Sequence, residues 1–256
     1  MSDESQTQLR SDRSQHSYPA YISTMVIGIV LLIILIHVGF FNTYIKHFPK
    51  FQDADIPGYR PAHFTWVKHF HGMMMMGWVF MLLLQPILIR TGRMNVHRRM
   101  GRLSYVLAPL VLLSIFLINK HAYNEVLKNA GESQARAVLA LIFPAFVFFG
   151  TLYFLAIRYR RTAQLHMRFM ASTAFLFIPP ALDRMLIINF QLPGYDVGSI
   201  IELSIIGAVT IFDSVKTKKV SPFLLVFIFE ALHTTFWHLR ETPFWQTIAG
   251  QIAKLF

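Results

Sequence analysis

Residues 69–89 read HFHGMMMMGWVFMLLLQPILI, an apolar run that two histidines open and one glutamine interrupts. About 20 apolar residues form a helix long enough to cross the hydrocarbon core of a bilayer, so this run predicts a membrane-spanning helix. Similar runs recur along a chain that is 54% hydrophobic, with a mean hydropathy of +0.46. They predict seven spans, at residues 20–45, 64–89, 103–119, 136–157, 167–188, 197–215 and 222–240.

The sequence therefore predicts an all-α fold, a polytopic transmembrane helical bundle of about seven spans. Residues 1–17 are polar and are expected to form a disordered cytoplasmic tail. Residues 18–240 are expected to form the membrane domain, and residues 241–256 an amphipathic helix at the membrane interface. The long first span predicts an uncleaved anchor rather than a cleavable signal peptide, and the proline-containing loop 46–63 is expected to be irregular.

The formal net charge is +11, and the lysines and arginines cluster at 90–102, 158–168 and 216–219. Cytoplasmic loops of membrane proteins are enriched in these residues, so these three connections are predicted to be cytoplasmic. This orientation gives a cytoplasmic N-terminus, an outer C-terminus and a location in the bacterial inner (cytoplasmic) membrane. The charge is interpreted as topology and contact with membrane lipids, with no role in nucleic-acid binding.

The chain contains no cysteine, which excludes disulfides, iron–sulfur clusters, thiolate zinc sites and thiol catalysis. Span 7 contains no lysine, so a retinal Schiff base is disfavoured. Any bound cofactor is therefore expected to use nitrogen and oxygen ligands.

Several ionisable residues lie inside the predicted spans, where such residues are rare and usually face the bundle interior. With the predicted orientation they fall in one layer of the outer leaflet, which contains His37, His71, Asp183, Arg184, Glu202, Glu230 and His233. These groups could simply pair with one another or with backbone carbonyls. Burying so many of them for packing alone is costly, and this favours a functional site.

In span 2, His71, Trp78 and Gln85 recur at a spacing of seven and share one helical stripe. This stripe is predicted to face inward, whereas His69 is rotated by about 200° from His71. His71→Ala is therefore expected to remove any bound haem or metal, and His69→Ala to leave it bound. The methionines at 73–76 are consecutive and point in all directions, which indicates adaptable packing rather than a copper path.

A second cluster lies at the predicted cytoplasmic edge. His97, Arg98 and Arg102 precede span 3, and His166 precedes span 5. Arginine forks near helix N-termini can bind phosphate or carboxylate groups, so haem propionates or lipid head groups would suit this edge. The alternative interpretation is ordinary positive-inside charge.

A family resemblance is carried by a histidine-bearing helix, a glutamine and an HR-x-x-GR-type loop. The residues concerned are His71, Gly72, Trp78, Gln85, Arg90, His97, Arg98, Gly101, Arg102, Tyr105 and His166. In these features residues 64–190 resemble a group of uncharacterised bacterial multi-pass membrane proteins. More distantly, histidines near both ends of a bundle look like the two-haem b-type membrane cytochromes, including the ascorbate-type reductases. In that family the second ligand lies about fourteen residues after the first, a position that Gln85 occupies here.

Three kinds of function follow from these residues. The first is redox, with haem b or a quinone held by His71 and a partner among His37, His121 and His233, and with a redox protein as partner. The second is a metal-dependent membrane hydrolase, whose candidate ligands are His71, Asp183, Glu202, Glu230 and His233. The third is a proton-coupled transporter or sensor that uses the same layer as a relay. An accessory subunit of a membrane complex is the remaining alternative, and redox is the preferred expectation.

Overall fold

The computed structural model describes residues 23–256. Its helices in chain order are α1 (Ser23–Phe41), α2 (Trp66–Arg90), α3 (Met94–Ala130), α4 (Glu132–Arg158), α5 (Ala163–Ser172), α6 (Ile178–Phe190), α7 (Gly194–Thr217), α8 (Phe223–Leu239) and α9 (Pro243–Ile252). Short 3-10 turns occur at Ile45–His47, Phe175–Phe177 and Ala253–Leu255. Over the described range the only β pairing is an isolated bridge between Ala54 and Ala62. The predicted all-α polytopic bundle is confirmed.

Among residues 23–256, six helical segments are long and apolar enough to cross a membrane, as expected of a multi-pass membrane protein. They are α1, α2, α3, α4, the segment Ala163–Phe190 that contains α5 and α6, and α7. The seventh predicted span, 222–240, corresponds to α8, an apolar helix of 17 residues. The predicted tail 1–17 lies outside the described residues.

Side-chain contacts at two levels show that neighbouring helices run antiparallel. Near one end of α3, Ser104 Oγ lies 3.0 Å from Tyr153 Oη, and about four turns later Asn119 donates to the Ile142 carbonyl of α4 at 3.0 Å. The bundle thus has two ends. We call the end formed by connections 91–93, 159–162 and 218–222 the basic end, and the other, formed by 42–65, 191–193 and 240–242, the opposite end.

Helix α3 is longer than the predicted span 103–119. It has 37 residues and a length of about 55 Å, which exceeds the roughly 30 Å of a bilayer core. The helix begins at Met94, so its first turns include residues 97–102, which were predicted to lie in the loop before span 3. Gly92 and Gly131, at φ +71° and φ +84°, provide the turns before and after it.

The predicted span 167–188 is not one regular helix. Helix α5 ends at Ser172, residues 175–177 form a 3-10 turn, and α6 begins at Ile178. Pro179 and Pro180 have no backbone N–H to donate to the preceding turn, which prevents a continuous α-helix here. The freed backbone is enclosed by protein: Thr173 is fully buried, and its Oγ1 donates to the Met170 carbonyl at 2.7 Å.

Small residues let α6 approach its neighbours closely. A methyl group built on Gly39 of α1 would overlap the Ala181 backbone of α6. On α7, Gly194 and Gly198 are spaced as small-xxx-small, and methyl groups there would overlap the Asp183 backbone and the Asp183 carboxylate respectively. Close backbone packing of this kind is a common basis of helix association in membranes.

Trp78 lies at the centre of the bundle and is fully buried. Its ring contacts those of Phe149 and Tyr153 edge-on, with centroids 5.0 and 5.5 Å away. Its Nε1 donates to Thr173 Oγ1 at 3.0 Å, exactly at the interruption between α5 and α6. The inward direction predicted for the stripe of span 2 is therefore observed at Trp78.

Helix α9 packs against the start of α4 at the opposite end of the bundle. Trp245 is 2% exposed, and its Nε1 donates to the Arg136 carbonyl at 2.9 Å. Ala249 is fully buried in the same contact. The apolar face expected to lie on the membrane interface is thus covered at these two residues by the bundle itself, while Phe244 and Leu255 are exposed.

Candidate functional site

A cluster of acidic groups and one histidine lies between α6, α7 and α8, toward the opposite end. Glu202 of α7 and Glu230 of α8 are 2% and 5% exposed, and their carboxyl groups lie close enough to share a proton. His233, one turn after Glu230, is 7% exposed, and its Nδ1 lies 3.3 Å from Glu230 Oε1. We call Asp183, Glu202, Glu230 and His233 the acidic cluster.

The hydrogen-bond partners of His233 determine which of its ring nitrogens carries a hydrogen. Its Nε2 lies 3.0 Å from the Leu141 carbonyl of α4, and a carbonyl only accepts, so Nε2 carries a hydrogen. In the neutral ring Nδ1 is then an acceptor that faces Glu230. Two carboxyl groups can hydrogen-bond only if one of them is protonated. A proton on Glu230 can therefore be directed to Glu202 or to His233 without any change of backbone.

The side chains of Asp183 and Arg184 point in different directions and have different neighbours. The Asp183 Oδ1 atom lies against Gly198 of α7, beside the acidic cluster. The Arg184 guanidinium turns away: it donates to the Pro180 carbonyl and lies over the Phe40 ring of α1, 4.4 Å from its centroid. The simple pairing of Asp183 with Arg184 that the sequence allowed is not among the ion pairs of residues 23–256.

A cavity of about 430 Å³ opens at the opposite end beside this cluster. Its lining comes from the ends of α6, α7 and α8 and consists of Ile187, Pro193, Gly194, Tyr195, Asp196, Trp237, His238 and Arg240. The Tyr195 ring meets the His233 ring edge-on, with centroids 5.6 Å apart, and meets Trp237 at 4.8 Å. Tyr195 thus separates the cavity from the buried cluster.

A second buried group lies toward the basic end. Arg168 of α5 and Asp213 of α7, 7% and 2% exposed, are joined through Nη2–Oδ1 at 2.8 Å and through Nε to both carboxylate oxygens at 3.0 Å. Ser221, just before α8, donates through Oγ to Asp213 Oδ2 at 2.7 Å. Asp213 was not among the site residues predicted from the sequence. Its spacing from Glu202 could have identified it. The two residues are eleven positions apart, which places them on the same face of one helix, about 16 Å from each other.

The two histidines of span 2 have different partners, as their rotation predicted. His71 Nδ1 lies 3.2 Å from Ser114 Oγ of α3. That hydroxyl already donates to the Val111 carbonyl at 2.7 Å, so His71 is the donor and its Nε2 keeps a lone pair. His69 Nδ1 instead lies 2.5 Å from the Tyr44 hydroxyl in the 42–65 loop. Burial raises the pKa of Tyr44, so this hydroxyl stays protonated and donates to His69.

The histidines predicted as partners of His71 lie in separate surroundings. His37 is exposed on α1 and contacts the Phe41 ring. His121 Nε2 lies 3.5 Å from Glu125 Oε1, at the opposite end of α3. Both nitrogens of His233 face the protein atoms described above. Each of these histidines thus belongs to a different local environment.

The predicted cytoplasmic-edge residues divide into two sets. When its amide is oriented to satisfy both neighbours, Gln85 donates to the His97 carbonyl and ring and accepts from Gly101 N–H at 3.3 Å. His166 Nδ1 donates to the Ala156 carbonyl at 2.8 Å. These three side chains therefore connect helix ends at the basic end, whereas Arg98 and Arg102 are exposed.

The methionine run contributes packing. Met74 and Met75 contact the central core, whereas Met73 and Met76 are 62% and 49% exposed on the outside of the bundle. Within residues 23–256, no group of three or more His, Asp or Glu side chains is arranged to hold a metal ion. Comparisons with protein-family models, curated proteins and solved structures find no match to this chain.

Proposed function

We propose that this protein is a proton-coupled membrane transporter whose proton-binding group is the Glu202–Glu230 pair. The observation that carries the proposal is the close approach of these two carboxyl groups, within reach of a shared proton, in a site from which solvent is almost excluded. Isolated charges are costly in such a site, and a shared proton leaves the pair with one negative charge instead of two. Intramembrane carboxylates and histidines of this kind typically mark proton pathways.

Access to the pair from one end supports transport. The cavity of about 430 Å³ leads from the opposite end to Tyr195, whose ring contacts His233. Toward the basic end, the Arg168–Asp213 ion pair joins α5 to α7, and Ser221 adds the start of α8. Alternating access would require this ion pair to separate when the cavity side closes. The basic end would then be the cytoplasmic side, in keeping with its charge.

The interrupted segment between α5 and α6 also supports this proposal. Discontinuous helices surround the substrate and ion sites of many secondary transporters. Here α6 begins beyond the interruption and carries Asp183 to the acidic cluster. Movement of α6 relative to α5 would change the position of Asp183 without unfolding a regular helix.

A haem or quinone site and a metal-dependent hydrolase stay predictions from the sequence. The arrangement gives them less support, because His37, His121 and His233 are separated in space and both nitrogens of His233 face protein atoms. The Nε2 lone pair of His71 would suit either cofactor.

Infrared spectroscopy of the purified protein tests the proton directly. At neutral pH the wild type should show the carbonyl stretch of a protonated carboxylic acid in an apolar site. Glu202→Gln and Glu230→Gln should each lose it. Glu132→Gln is the matched control, because Glu132 is 64% exposed and pairs with Arg136 at the helix surface. A wild-type spectrum with only ionised carboxylates would contradict the proposal.

Transport itself can be measured on a solid-supported membrane. A pH jump should give a transient charge movement in the wild type and in Glu132→Gln, but not in Glu202→Gln or Glu230→Gln. Sustained current on addition of small solutes would identify the coupled substrate. Binding of a proton with no sustained current for any solute class would instead favour a sensor.

A further inference from the structure

A second cavity, of about 350 Å³, lies at the basic end, away from the acidic cluster. It is lined by Phe154, Ile157, Arg158, Arg160 and Arg161. These residues come from the last turns of α4 and the connection to α5. The lining is thus divided into an apolar part and a part with three guanidinium groups.

The apolar residues of this cavity precede the arginines along the chain, as expected where a helix passes from the hydrocarbon core into the head-group region. Phe154 is 65% exposed on the outside of the bundle, one helical turn before Arg158. Arg158 lies over the Tyr159 ring, with its guanidinium 5.8 Å from the ring centroid. Aromatic and basic side chains at the end of an apolar helix are characteristic of the depth at which lipid head groups lie.

The positive charge of this cavity has no counterpart in the surrounding protein. None of the ion pairs within residues 23–256 involves Arg158, Arg160 or Arg161. Asp213, a buried carboxylate toward the basic end, is engaged by Arg168. Three neighbouring cations repel each other unless an anion lies between them, and guanidinium groups bind phosphate with paired hydrogen bonds.

We propose that this cavity binds an anionic phospholipid, with its phosphate among the three arginines and an acyl chain along Phe154 and Ile157. A free phosphate would match only the arginines, and a purely apolar molecule only the other part. A phospholipid carries both groups in one molecule, since glycerol joins its phosphate to its acyl chains. Basic cavities at the cytoplasmic side of membrane helices are known to hold such head groups.

Native mass spectrometry of the full-length protein with phosphatidylglycerol tests the site. The double variant Arg160→Gln/Arg161→Gln should retain this lipid more weakly, on the order of 25-fold, since the loss of each hydrogen bond to the phosphate lowers the affinity about fivefold. The matched control is Arg93→Gln/Arg99→Gln, which removes the same charge from residues of the basic end that do not line the cavity. It should retain the lipid as the wild type does, and phosphatidylcholine should bind all proteins weakly.

Two further measurements separate the possible ligands. Phe154→Asn should weaken phosphatidylglycerol binding because it removes the apolar contact, while a large excess of inorganic phosphate should not displace the lipid. Equal losses in the two arginine double variants would show that only diffuse surface charge is involved, and would overturn the proposal. Displacement by inorganic phosphate, together with no effect of Phe154→Asn, would overturn it in favour of a simple anion site.

Discussion

Replacing Asp213 by asparagine should destabilise the protein strongly, although the side chain keeps its shape. The Arg168 guanidinium directs Nη2 and Nε at this carboxylate, at 2.8 to 3.0 Å, and both side chains are almost completely buried. The substitution would remove the negative charge that pairs with this buried guanidinium, and breaking a buried ion pair in this way costs about 3–5 kcal/mol. That loss lowers the folding equilibrium constant by a factor on the order of 100 to several thousand.

The double variant Arg168→Met/Asp213→Leu provides the decisive comparison. It removes both charges, so the desolvation penalty of the pair disappears together with its attraction, and stability should stay within about 1–2 kcal/mol of wild type. Glu125→Gln is the control, because Glu125 pairs with Lys68 at 3.9 Å and both side chains are partly exposed. Its expected cost is about 1 kcal/mol or less.

Unfolding in mixed micelles of increasing sodium dodecyl sulfate, followed by the fluorescence of the four tryptophans, measures these differences. An Asp213→Asn protein within about 1 kcal/mol of wild type would refute the reasoning, since the threshold lies well below the range expected for a buried unpaired charge. A double variant as unstable as the single one would also refute it, because the loss would then come from packing rather than charge.

Two other perturbations have clear expectations. Gly39→Val should destabilise the protein by about 1–3 kcal/mol through overlap with α6. Gly28→Val on the same helix should not, because a Cβ there would have nothing within 4 Å. Equal thermal stabilities of the two variants would contradict the close contact of Gly39 with α6. In the 42–65 loop, hydrogen bonds from His63 and from a backbone N–H lower the pKa of Asp53. The contribution of ionised Asp53 to stability is therefore fully present above its pKa in the unfolded chain, near 3.9. It is lost as the pH falls through the lower pKa of Asp53 in the folded protein. The protection of this loop's amides against hydrogen exchange, relative to their intrinsic rates, should fall in acid in the wild type, and an equal fall in Asp53→Asn would show that another group is responsible.

The candidate site was partly predictable from residue types and helical spacing. Glu202, Glu230 and His233 stood out because ionisable residues are rare in apolar spans, and the structure brings all three into contact. His37 was misjudged as part of an inward layer, since depth along a helix does not fix the direction in which a side chain points. Its exposed position on α1 depends on which face packs against α6.

The sequence by itself determined the helical class, the approximate helix positions and the separation of the basic connections from the layer of ionisable residues inside the spans. These properties follow from local hydrophobicity and from charge, which act without knowledge of neighbouring helices. Only the tertiary structure decided that Asp213 pairs with Arg168 and that Glu202 meets Glu230. Such contacts depend on helix rotation and separation, which are set by side chains far apart in the chain, including glycines that permit close approach.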